Sequence, residues 1–221
     1  MTDTTTEARS GAGFVPHALR GPFNAAFFRA MDPYLTRSLG PRKERVFAGL
    51  PHAVVELGSG VGANLRYLPR GATLIAIEPN RHMHARLREA ALRHGVHLEL
   101  RADTAERIGL PDHSADVVIS SLVLCTVHDV PATLAEVRRI LRPGGTFRFV
   151  EHVAAGPGTP TRAVQRIVRR PWAWTFEGCS CERDLEGDLR AAGFESVDIE
   201  RYRIRSPILP FNTHIAGVAH A

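Results

Sequence analysis

Residues 54–65 read VVELGSGVGANL. Two β-branched apolar residues run into an acid, and Gly58, Gly60 and Gly62 then fall within five positions. A strand that ends in such a turn lets the backbone approach a ligand closely. Read with Ala63, the same spacing also satisfies the dinucleotide pattern, so the glycines alone do not choose the ligand. Glu56 narrows the choice. A carboxylate just ahead of the turn would repel a pyrophosphate across a low-dielectric site. It suits a ligand that carries positive charge.

Outward from this turn the chain alternates strand and helix. Strands are expected at AVVEL (53–57), TLIAIE (73–78), VHLELR (96–101), DVVISSLVL (116–124) and TFRFVEH (146–152). A helix is expected after the glycines, a second from Asn80 as cap to Gly95 as stop, and a third over DVPATLAEVRRILRPGG. This order implies an α/β, Rossmann-like doubly wound sheet, mostly parallel, with helices on both faces and the ligand at the carboxyl ends of the strands. After a helix in CERDLEGDLRAAGF, SVDIERYRI and HIAGVAHA form two strands with no helix between them, which predicts an antiparallel C-terminal edge pair. Residues 51–221 would make this domain, with an insertion at about 154–180 lying over the ligand end. Residues 16–50 would form a helical cap of two helices, the first opened by Gly21-Pro22 and the second by Asp32-Pro33. Residues 1–15, polar and small, read as a disordered tail.

The 221 residues are 44% hydrophobic and suffice for one α/β domain with a proper core. No apolar run reaches the length of a membrane span, and the N-terminus lacks the order of a secretory signal. Three cysteines give no disulfide framework, so a cytoplasmic, reduced setting is expected. The net charge of +5 is almost entirely arginine, spread over helix faces, and does not form a nucleic-acid stripe.

Three acids stand at successive strand ends. Glu56 faces a ligand with an ammonium or sulfonium group. Glu78 stands 20 residues after Gly58, where an acid accepts ribose hydroxyls. Asp103 is placed to accept from an adenine amino group. S-adenosyl-L-methionine has all of these features and no phosphate. With the later LPDHSADVVISSLVL and LAEVRRILRPGGTFRFVEH, the pattern resembles the class I S-adenosylmethionine-dependent methyltransferases. The segments GANLRYLP, IEPN, SLVLCTVHD, PWAWTFEGC, RDLEGDLRAAGF and HIAGVAHA are similar to the methyltransferase-like alkyl-thiol S-methyltransferases and their bacterial relatives. The vertebrate members begin with an apolar membrane anchor, which the polar start of this chain does not match. The resemblance implies a cofactor held by Glu56, Gly58, Ser59, Gly60, Gly62, Asn64, Glu78, Pro79, Asn80, Met83, Asp103, Thr104, Ala105, Ser121 and Leu122.

Methyl transfer to sulfur needs positioning and little beyond deprotonation of the thiol. His152, after Glu151 at the end of the fifth strand, is the first candidate base, and His128 the second. An acceptor pocket would be walled by Phe23, Phe27 and Phe28 from the N-terminal helix, by Trp172, Trp174 and Phe176 from the insertion, and by Cys125. Cys125, Cys179 and Cys181 read as packing residues, and C-S-C with one distant cysteine lacks the paired spacing of a zinc site, so no metal is expected. The expected activity is S-methylation of a small thiol. Its alternatives are O- or N-methylation of a metabolite or lipid headgroup, a nicotinamide oxidoreductase, and a binding module without catalysis. SSLVLCT lacks the cluster with which base methyltransferases grip a flipped amine.

Overall fold

The computed structural model describes residues 20–205 and 208–221, so the expected tail over 1–15 lies outside the described residues. One seven-stranded sheet organises them. Its strands are β1 (Ala53–Leu57), β2 (Thr73–Ile77), β3 (His97–Arg101), β4 (Ala115–Ser121), β5 (Leu141–His152), β6 (Ser196–Arg203) and β7 (Thr213–His220). The spatial order is β3-β2-β1-β4-β5-β7-β6. The pairs among β1 to β5 are parallel, whereas β7 runs antiparallel to both β5 and β6. The expected Rossmann-like sheet with an antiparallel C-terminal pair is therefore present. β1 has β2 on one side and β4 on the other, so the crevice of the switch point opens beyond Leu57.

Both faces of the sheet are covered, as near-continuous apolar strands require. On one face Val55, Leu57, Val118 and Phe149 pack with Leu134 and Val137 of α3 (Val130–Ile140) and with Leu185 and Leu189 of α5 (Leu185–Ala191). On the other, Val54, Leu74, Val117 and Ile119 pack with Leu39 of α1 (Arg20–Val46) and with Leu87 and Ala90 of α2 (Arg81–His94). Residues adjacent along a strand thus go to opposite cores. The helix ends follow the sequence signals. Asn80 caps α2, accepting from His82 N, and Gly95 closes it in the left-handed region; Asp129 caps α3 and Asp184 caps α5.

Four local expectations are corrected. The N-terminal segment is one helix, α1, and not two: Pro33 and Pro41 lie inside it. Both prolines are exposed, as are Arg29 and Arg37 four residues before them, so the carbonyls they orphan face water. After the glycines only a 3₁₀ turn forms, Leu65–Tyr67. Gly62, at φ +89°, delays any helical start, and Pro69 keeps Leu68 extended, so no room is left for an α-helix. β4 stops at Ser121, because Leu122 takes φ +62°. β5 begins earlier than expected, at Leu141, with its pairing irregular until Val117 meets Thr146. The insertion carries a 16-residue helix, α4 (Pro160–Thr175), capped by Thr159.

Gly62 packs the turn onto α2. A Cβ there would lie 2.6 Å from Leu65 Cδ1 and 3.0 Å from Ala90 Cβ. Gly62→Ala is therefore expected to cost about 2 kcal/mol from left-handed strain and overpacking. A thermal melt checks this, with a drop of roughly 4–8 °C expected.

Candidate active site

A cavity of about 560 Å³ opens at the carboxyl ends of β1, β2 and β4. Its base is the glycine turn. Gly58 N donates to Ile77 O at 2.8 Å, tying the turn to β2. Glu78 completes the tie: Oε2 accepts from Gly60 N and Oε1 from Asn80 N, both at 2.8 Å. Burial pushes this carboxyl up to about 7, with the nearby Glu177 and Glu56 adding to the effect against the two backbone bonds. Its own carbonyl accepts from His84 Nε2 at 2.7 Å.

Glu56 sits behind the cavity wall and does not line it. Its Oε1 accepts from Asn64 Nδ2 at 2.6 Å, and Asn64 Oδ1 accepts from Lys43 Nζ at 2.8 Å. Burial raises the Glu56 carboxyl, opposed by Asn64, Ser59 and the charge of Lys43. Asn64 and Lys43 both line the cavity. The acid ahead of the turn therefore acts through Asn64. Lys43, the chain's single lysine, was not among the expected residues, although a lone buried lysine on α1 is a signal worth reading.

The third wall is the loop after β4, organised by Glu151. This buried acid accepts from Ser120 Oγ at 2.6 Å, Val123 N at 2.9 Å and Leu124 N at 3.1 Å. Burial lifts it to about 7 even so. The clamp holds Leu122 in its left-handed conformation, and Ser121, Leu122, Val123 and Cys125 line the cavity.

The cavity roof comes from α1 and α4. Asn24 Nδ2 donates to Thr175 O at 3.0 Å, Phe27 meets Phe176 at 5.2 Å between ring centroids, and Trp172 meets Phe176 at 4.6 Å. Glu177, which follows, receives Asn80 Nδ2 at 3.3 Å, linking the roof to the cap of α2.

Of the expected cofactor residues, Gly58, Ser59, Gly60, Asn64, Glu78, Pro79, Asn80, Met83, Thr104, Ala105, Ser121 and Leu122 line this one cavity. Glu56, Gly62 and Asp103 do not. Gly62 faces α2, and Asp103 Oδ2 accepts from Gly109 N at 3.2 Å. Of the pocket candidates, Phe27, Cys125, Trp172 and Phe176 line the cavity. Phe23 stacks on Phe27 from outside and is exposed, Trp174 is exposed, and the Phe28 side chain lies outside the described residues. His128 lines the rim. His152 is fully buried one layer back, against Trp172, Phe211 and His214. Cys125, Cys179 and Cys181 are all buried. Cys125 pairs in space with Cys179, with Sγ atoms 3.3 Å apart, and these two with His152 form a compact group. The contact with Cys179 and then burial push the Cys125 thiol well up. Cys181, two residues after Cys179, donates elsewhere, to Gln165 O.

A family described as "Methyltransferase domain" matches residues 55–149. Thiol S-methyltransferase TMT1B of Homo sapiens is 32% identical over 201 residues, covering 86% of this chain and 82% of the relative. The malonyl-[acyl-carrier protein] O-methyltransferase of Serratia marcescens is 36% identical over 141 residues, 60% of this chain and 52% of that one. The chain belongs to the class I S-adenosylmethionine-dependent methyltransferases. An S-adenosylmethionine-dependent methyltransferase of Thermotoga maritima shares the fold, with a TM-score of 0.66 at 17% identity over 91% of this chain and 98% of that one. Among the described residues, no helix of this methyltransferase is long and apolar enough to cross a membrane.

The residues present fit the cofactor that the family uses. Glu78 offers a carboxylate at the cavity, and Gly60 bares its backbone there. The buried Oγ of Ser121, another lining residue, has no protein hydrogen-bond partner. Met83, Ala105 and Leu122 supply an apolar slot.

Glu78 gives this methyltransferase a pH signature. In the ribose-binding role expected of it the carboxyl would have to be ionised, and its value near 7 stands above the ordinary 4.5. Affinity for S-adenosylhomocysteine, measured by calorimetry, is expected to rise about tenfold per pH unit towards 7 and to level off above it. The same shift makes the free enzyme less stable as pH climbs from 4.5 to 7, because the folded state keeps a proton that the unfolded chain loses. Glu78→Ala should weaken binding and abolish the pH slope; an unchanged slope would contradict the ribose assignment.

Proposed function

We propose that this enzyme methylates the sulfur of a small, apolar thiol. The observation that carries the reading is the likeness to a thiol S-methyltransferase over 86% of the chain. The likeness to the O-methyltransferase spans 60%. The acceptor side of the cavity agrees with a thiol ligand. Phe27, Met31, Leu35, Trp172, Phe176 and Phe211 surround it, an apolar enclosure that holds an alkyl or aryl group by its area.

When bound, S-adenosylmethionine supplies a methyl group already activated by its sulfonium. In this reading Glu78 anchors the ribose. Asn64, braced by Glu56 and Lys43, holds the amino-acid end, with the lysine ammonium facing its carboxylate. The aromatic roof excludes water and brings the acceptor sulfur into line, which is most of what such a displacement asks of a protein. His128, the histidine with access to the cavity rim, receives the acceptor's proton, whereas His152 is walled off from it.

A panel of matched thiols, alcohols and amines, assayed with labelled cofactor, tests the proposal. Thiols should exceed their matched alcohols by at least about a hundredfold in kcat/KM, a gap of ~2.7 kcal/mol. Methylation of an alcohol or amine with the thiols inert would overturn it. In the same assay Phe27→Ala is expected to raise KM for a long alkyl thiol about tenfold with little change in kcat, because it removes only apolar contact.

A further inference from the structure

Cofactor binding leaves one cluster of reactive side chains unexplained. Cys125 follows β4, Cys179 follows α4, and His152 ends β5; all three are buried. A ring nitrogen of His152 and both sulfurs lie within 4.8 Å of one another. The protonation of the imidazole follows from geometry. Nε2 is 2.7 Å from Pro210 O, and a carbonyl only accepts, so Nε2 carries the hydrogen. Gln165 Nε2 donates to the same carbonyl at 2.9 Å and keeps it in place. The neutral ring then presents a lone pair on Nδ1, which is buried, and the imidazole interacts with the Cys125 thiol. On the other side, Trp172 Nε1 donates to Cys179 Sγ at 3.3 Å.

We propose that Cys125, Cys179 and His152 bind a zinc-class divalent cation through Sγ, Sγ and Nδ1, with a fourth position open to the cavity that takes the acceptor thiolate. Two sulfurs and one imidazole select a borderline-soft cation and disfavour magnesium or calcium. Three protein ligands and one open position is the arrangement of a catalytic rather than a structural zinc site. The open side is set by the fold: Cys125 and Cys179 line the cavity, whereas His152 stands behind them. Zinc–sulfur bonds of ~2.3 Å at a tetrahedral angle put the sulfurs about 3.8 Å apart. From 3.3 Å that asks only a small rotation of either side chain. The Nε2 bond to a backbone carbonyl is the outer contact that ligating histidines use to fix their ring.

The balance is simple. Metal binding forms two metal–sulfur bonds and one metal–nitrogen bond and releases one proton from each cysteine to solvent. The acceptor thiol then forms a fourth bond and gives up its proton at the cavity mouth. No electron changes hands. The fourth-ligand role rests on the thiol reading above; the three-residue site does not.

The experiment uses the full chain, purified in reducing buffer, stripped with a chelator and titrated with Zn²⁺ or Co²⁺ alone. One equivalent should bind, and cobalt should show the charge-transfer absorption of a two-thiolate site. Cys125→Ser, Cys179→Ser and His152→Ala should each weaken binding by at least about tenfold, while Cys181→Ser leaves it unchanged. No uptake by the wild type, or a Cys125–Cys179 disulfide in the reducing buffer, overturns the site. The wild-type spectrum decides this even where a variant fails to fold. Adding a thiol acceptor should then shift the cobalt spectrum; no shift in an enzyme that methylates that thiol overturns the fourth-ligand role. A chain that binds the metal but methylates only alcohols or amines sinks the thiol reading and leaves the site standing.

Discussion

The carboxylate of Glu78 holds two turns at once. Buried at the end of β2, it takes the N–H of Gly60 from the β1 turn and the N–H of Asn80 from the start of α2. A buried acid needs such partners, and here they come from the two backbone segments that border the switch-point crevice. The glycine turn cannot move without breaking a charge-assisted bond in a low-dielectric setting. The shape of the cofactor end of the cavity is therefore set before any ligand arrives, and burial keeps the acid itself near the pH of the cell.

Glu151, on β5 beyond β1 and β4, repeats the device. It gathers Ser120 Oγ and the N–H groups of Val123 and Leu124, and so forces Leu122 into a conformation that a leucine would not choose. The strained loop delivers Cys125 to the cavity and to Cys179. Two buried acids at separate strand ends thus shape the site: Glu78 fixes the glycine turn and the start of α2, and Glu151 fixes the loop after β4. Glu56, on β1 between them, is also fully buried and meets the cavity through Asn64, which Lys43 braces, and through Ser59.

The sheet was legible in the sequence because its signals are local: apolar strands, the Asn80 cap, the Gly95 stop and the missing helix between the last two strands. Two helix readings failed where one local signal outweighed another. Asp32-Pro33 reads as a helix start, yet α1 runs through it because the exposed face can leave carbonyls to water. The residues after Gly62 read as helix, yet Pro69 cuts the segment short. At the site, Glu78, Gly58 and Gly60 line the cavity, since strand ends fix their surroundings, whereas Glu56 lies behind its wall. Asp103 and Gly62 answer instead to neighbours that the one-dimensional pattern does not show. The meeting of Cys125 with Cys179 joins positions 54 residues apart, and the nearer spacing of Cys179 and Cys181 points the wrong way.

A crystal structure with S-adenosylhomocysteine bound tests the central claim most directly. The account predicts the two ribose hydroxyls on the Glu78 carboxylate and the amino-acid end beside Asn64 and Lys43. A nucleoside that lies elsewhere, or one that leaves Glu78 bonded only to Gly60 and Asn80, would contradict it.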